Sequence, residues 1–161
     1  MYSNRDFIGK KITDRQGRKM GTVEDLLLDV KHGLVCGFKI RESSMRRRYT
    51  SLHLRDILYI GNTMIADRFS SENFFCFEGL RTMEIINLSG DILGSVESIL
   101  FCREDFKIKG FLVSEGLLRN YIKGKRIILL SHLIIGENNI LYTGDNNYCC
   151  YSKIHGVEKN E

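Results

Sequence analysis

No Cys-x-x-Cys pair occurs in this chain, and its cysteines, Cys36, Cys76, Cys102, Cys149 and Cys150, are odd in number. A secreted disulfide framework is therefore not expected, and reduced thiols point to a cytoplasmic location. The opening "MYSNRDFIGKK" holds no apolar stretch of leader length. The longest apolar run, "IILLSHLIIG" from Ile127 to Gly136, is interrupted by Ser131 and His132. It is about half as long as a membrane-spanning helix, so no integral membrane segment is expected. Phosphate loops of the GxxxxGK type, HExxH and Gly-rich dinucleotide fingerprints are all missing. The histidines, His32, His53, His132 and His155, have no ligand-like spacing, whereas zinc needs ligands clustered in close pairs. No catalytic residue, metal, cofactor or small-molecule substrate is expected.

Extremes of composition are lacking too. The chain is 43% hydrophobic and 27% charged, a globular balance that can bury a core. Its 161 residues suffice for one ordinary domain or two small ones. The net charge of +4 permits contact with nucleic acid or an acidic surface without requiring either.

What the chain does have is a repeat. "GRKMGTVEDLLLDVKHG" (Gly17 to Gly33) is echoed by "GDILGSVESILFCREDF" (Gly90 to Phe106). A shift of 73 residues lays Gly17 on Gly90, Gly21 on Gly94, Val23 on Val96 and Gly37 on Gly110. Later in each copy the shift becomes 75, which lays Leu52 on Ile127, Gly61 on Gly136 and Ile65 on Ile140. The two extra residues fall between Ser114 and Lys123, opposite Arg41 to Arg48, as an insertion confined to a loop should. Two domains are expected at residues 5–70 and 76–145, followed by a tail at 146–161.

Each copy reads as strands. "KKITD", "MGTVEDLLLDV", "LVCGFKI" and "YTSLHL" are strand-like, "RDI" suits a single helical turn, and "LYIGNTMIAD" is a hairpin turning at Gly61-Asn62. The leucines of "GTVEDLLLDV" also suit a helix, but Gly21 and "KHG" leave it little length. Short strands with a turn every 8–12 residues point to small barrels of curved antiparallel strands, and hence an all-β chain.

The basic residues are the most suggestive candidates for function. "MRRRY" sets Arg46, Arg47, Arg48 and Tyr49 at one loop, and the matching loop of the second copy carries Arg119, Tyr121, Lys123, Lys125 and Arg126. Arginine beside an aromatic ring suits RNA, through phosphate pairing and base stacking. Residues 1–73 hold 14 Lys and Arg against 9 Asp and Glu, a net of +5, while residues 74–161 hold 10 against 11, a net of −1. The plainer reading is a solvated charged loop. Cys36 and Cys102 fall in apolar strands, where a thiol behaves as a small inert hydrophobe. The pair Cys149-Cys150, in "NNYCCYS", is the best support for a thiol redox role, against a plain tail. Asp25 and Asp29 flank the leucine run, and a polar strand face and a turn explain them more simply than acid–base chemistry.

"GKKITDRQGRKMGTVEDLLLDVKHGLVCGFKI" resembles the start of a PRC-barrel domain. Asp14 to Gly17 matches the family's D-x-x-G turn, and Gly21, Val23 and Asp25 match its G-x-V-x-D element. "LRDILYIGNTMIAD" looks like the family's closing hairpin. The chain departs from the family in having no proline, and in carrying Asn87 and Ser98 where the first copy has Asp14 and Asp25. The resemblance implies a docking surface rather than an enzyme. Such domains occur in a ribosome-maturation protein, in sporulation-associated proteins and in the reaction-centre H subunit. A photosynthetic role fits this chain poorly, since that subunit has a membrane helix. A non-enzymatic adaptor is expected, with a protein partner or, through the basic loops, RNA or the ribosome.

Overall fold

Glycine turns cut the apolar runs into strands. The computed structural model describes residues 1–44, 48–72, 74–116, 125–144 and 150–152. The strands are β1 (Tyr2–Ser3), β2 (Lys11–Thr13), β3 (Lys19–Asp29), β4 (Leu34–Glu42), β5 (Tyr49–His53), β6 (Ile57–Ile60), β7 (Thr63–Ala66) and β8 (Phe75–Cys76). After the short helix α1 (Phe77–Arg81) come β9 (Glu84–Ile86), β10 (Ile92–Phe101), β11 (Ile108–Ser114), β12 (Lys125–Leu129), β13 (Leu133–Ile135), β14 (Asn139–Tyr142) and β15 (Cys150–Ser152). The all-β expectation holds, the leucine run is strand, and the single helical turn is a 3-10 turn at Leu54–Asp56. Among the described residues no helix is long and apolar enough to cross a membrane.

The chain divides into two compact units: Met1–Leu80 with Ile99–Lys109, and Arg81–Ser98 with Gly110–Glu161. The first sheet runs β5-β4-β3-β2-β7-β6, with β8 also on β3. The second runs β13-β14-β9-β10-β11-β12-β15, with β1 also on β10. Read from β12 to β13, the second repeats the order of the first. Neither sheet is purely antiparallel, because β7 lies parallel to β2 and β14 parallel to β9. The closing hairpin reverses the chain once more than a meander would, so its second strand returns beside the first strand in the same direction.

Ladder registers also correct the alignment of the copies. Gly37 opposes His53 and Gly110 opposes Leu129, so β5 and β12 correspond at a shift of 76. Leu52 thus answers to Ile128, and both are buried.

The first-turn aspartate survives its replacement. Asp14 Oδ1 accepts the N–H groups of Gln16 and Arg18, each at 2.9 Å. Asn87 Oδ1 accepts those of Ser89 and Asp91 at 2.9 and 2.8 Å. One carboxamide oxygen takes the place of the carboxylate. Gly17 (φ +79°) and Gly90 (φ +87°) complete the two turns in the left-handed region.

Unit 1 contains an exchange written in the 73-residue shift. β1 pairs with β10 through Tyr2↔Phe101 and Ser3↔Leu100, and β8 pairs with β3 through Phe75↔Leu28 and Cys76↔Leu27. Shifting the first pair of residues by 73 gives the second. The Leu34↔Lys107 bridge maps onto itself, flanked by Val35 N–H to Phe106 O (3.0 Å) and Ile108 N–H to Gly33 O (2.8 Å). Around it packs an aromatic cluster in which the Phe7 ring stacks on Phe38 and Phe101, with centroids at 4.8 and 5.8 Å. Asp25 is buried on β3 and accepts Leu26 N–H (2.8 Å) and Glu78 N–H (2.9 Å). Burial pushes its carboxyl up, against the pull of those two donors. It acts as an anchor for α1, and Asp29 instead holds the turn at His32, Oδ2 to Nδ1 at 2.7 Å.

Candidate functional site: a basic groove beside β5

β5 ends its sheet, and its outer edge is bridged at one residue. Ser51 N–H donates to Ser70 O at 2.9 Å, and Ser70 N–H returns a bond to Ser51 O at 2.7 Å. Thr50 Oγ1 donates to Ser70 O (2.8 Å) and Ser51 Oγ to Glu72 O (2.7 Å). These hydroxyls tether residues 70–72 to the strand. Beside them opens a groove of about 280 Å³, lined by Leu27, Lys39, Arg48, Tyr49, Thr50, Ser51, Ser71, Phe74 and Cys76.

The groove is positively charged. Lys39 projects from β4 between the buried Phe38 and Ile40, with its Nζ 4.7 Å from the centroid of the Tyr49 ring. It makes no close ion pair among the described residues; Asp25, opposite it on β3, feels its charge, and the aromatic face supplies only about 0.5–2 kcal/mol of attraction. Arg48 is exposed, with Nε 3.5 Å from Glu42 Oε1, and the Tyr49 ring is half exposed. The Phe74 ring meets His53 edge-on at 5.0 Å. Burial, against the pull of Lys39, raises the Cys76 thiol above its ordinary value. Sulfur in the groove is therefore a thiol at neutral pH rather than a nucleophilic thiolate. The arrangement offers cationic charge and aromatic surface, which suit recognition.

Of the basic and aromatic residues singled out in the sequence, Arg48 and Tyr49 line this groove. Arg46, Arg47, Arg119, Tyr121 and Lys123 lie outside the described residues, as does Cys149. Lys125 and Arg126 are in unit 2 and face carboxylates: Lys125 Nζ is 2.6 Å from Glu97 Oε1, and Arg126 Nη2 is 2.9 Å from Glu115 Oε1. Lys39 was missed by sequence reasoning, although a lysine between Phe38 and Ile40 was the available signal. Cys150 lies in β15, so part of the expected tail joins the sheet beside β12.

The two cysteines read as inert differ. Cys36 is in β4, its Sγ donating to Leu27 O at 3.3 Å, and burial pushes its thiol up to about 11. Cys102 lies just past β10, with Sγ 2.7 Å from Glu104 Oε2. At pH 8 the folded chain should alkylate at Cys36 about a hundredfold more slowly than the chain in denaturant, because the buried thiol ionises to only about a hundredth of the extent of an exposed one. Peptide mapping of iodoacetamide adducts checks this, and equal rates in both states would refute it.

No curated protein matches the chain. The family model of the PRC-barrel domain matches residues 1–73, the stretch that folds into β1 to β7 and supplies Lys39, Arg48 and Tyr49. Residues 1–73 are thus similar to the PRC-barrel domain, the family whose model they match.

Proposed function

We propose that this protein is a non-enzymatic docking module, its second copy being a further barrel of the same kind, and that unit 1 receives a negatively charged partner in the groove beside β5. The observation that carries this reading is Lys39, a half-buried lysine whose ammonium lies over the Tyr49 ring beside Arg48 and whose carboxylate neighbour, Asp25 across the ladder, makes no close ion pair with it among the described residues. The family's use as a docking surface agrees with it. The partner is a protein or a ribonucleoprotein in the cytoplasm, with ribosome maturation and sporulation as the settings the family suggests.

Tagged protein pulled down from lysate tests the reading. Capture should fall severalfold or more on raising salt to about 0.5 M, where the Debye length shrinks to a few ångströms. It should fall likewise in Lys39→Glu/Arg48→Glu. Quantifying RNA and protein in the eluate tells the two kinds of partner apart. Capture that survives both changes sinks the groove as the docking place.

A further inference from the structure

We infer that the groove takes an extended acidic peptide that adds as a strand to the outer edge of β5 at Tyr49. The inference rests on the docking reading and names the occupant.

The backbone argument comes first. Ser51 exchanges a pair of backbone hydrogen bonds with Ser70, so its N–H and C=O point away from β4. Directions alternate along a strand. Tyr49, two residues back, therefore also turns its peptide groups outward, while Arg48 O accepts Glu42 N–H at 3.1 Å on the β4 side. An outward-facing N–H and C=O at the end strand of a sheet is a template for another strand.

Unit 2 shows this edge in use. In the register correspondence, Ser51 answers to Ile127 and Tyr49 to Lys125. There β15 lies antiparallel along β12, through Ile127↔Cys150, Arg126↔Tyr151 and Lys125↔Ser152. In unit 1 the bridge at Ser51 is present, but no strand lies opposite Tyr49 among the described residues. The position that Ser152 fills beside Lys125 opens here into the groove.

Charge selects the occupant. An extended chain places alternate side chains on one face. Acidic residues on the face that continues Tyr49 and Ser51 would meet Lys39, which lies opposite Ser51, with Arg48 beside the entry and Leu27 and Phe74 supplying the apolar lining.

The experiment titrates the ¹⁵N-labelled full chain with an alternating Glu/Val hexapeptide, its Lys/Val counterpart, two Glu/Val versions N-methylated at one or the other alternating set of amides, and a uridine decanucleotide. The Glu/Val peptide is expected to move the Tyr49 amide signal downfield and slow its hydrogen exchange. The Lys/Val peptide is expected to do neither. One N-methylated set should bind at least tenfold more weakly than the other, because only one set bonds to the edge. Lys39→Gln should weaken the unmodified peptide at least tenfold while leaving the amide spectrum folded. Equal binding by both N-methylated peptides, an unmoved Tyr49 amide, or no binding at millimolar peptide overturns strand addition. Binding of the uridine oligomer instead overturns the peptide and makes RNA the occupant. If strand addition fails while Lys39→Glu/Arg48→Glu still abolishes capture from lysate, the docking reading stands without it.

Discussion

A fragment ending at residue 73 will not fold, although it contains the whole stretch that matches the family. Unit 1 is completed by later residues, and Phe77, Leu80, Ile99 and Phe101 are all fully buried in it. Burial of a large apolar side chain is worth about 1.5–3 kcal/mol. Losing four removes roughly 6–12 kcal/mol, as much as the whole stability of an ordinary domain. The fragment also leaves β3 without β8 and Phe7 without Phe101. In urea it should show no cooperative transition and should bind a hydrophobic dye, while the full chain unfolds sharply. A two-state transition in the fragment would disprove the claim that the exchanged segments are part of the core.

Those segments explain what the sequence concealed. Turn chemistry is local, so Asp14, Gly17 and the Gly61-Asn62 hairpin can be read from a few letters. β1 and β8 are two residues each, too short for any hydrophobic period to show, and their partner strands β10 and β3 lie far away along the chain. The parallel pairing of β2 with β7 is equally silent, because alternation looks the same in either direction. Half of the groove was legible. The basic Arg48 beside the aromatic Tyr49 stands out at the end of a polar stretch, whereas Lys39 is hidden between Phe38 and Ile40. Likewise, nothing near Lys125 or Arg126 in sequence announces Glu97 or Glu115, so the carboxylates facing those cations had to be seen in three dimensions.

Replacing Gly37 with alanine should be the most damaging single-methyl change in the first sheet. A Cβ there would overlap the Leu52 carbonyl oxygen and stand 3.2 Å from His53 Cα. The obstacle is backbone in a paired strand, which cannot rotate away as a side chain does. Gly110 meets the matching atoms, the Ile128 carbonyl oxygen and Leu129 Cα at 3.2 Å. The same close crossing is thus built twice, which gives a physical reason for the same letter at both places. Forcing a methyl into such a contact costs about 3 kcal/mol, or roughly 10 °C in Tm for a chain of this size. Gly17→Ala is the control. A Cβ at Gly17 meets nothing within 4 Å, and only its φ of +79° opposes it, a strain of about 1–2 kcal/mol. Thermal melts of Gly37→Ala, Gly110→Ala and Gly17→Ala should therefore show two large drops and one small one. If Gly37→Ala melts no lower than Gly17→Ala, the close approach of β4 to β5 is wrong. The edge that holds Tyr49 beside Lys39 would then be misplaced as well, since Gly37 sets the register that carries both.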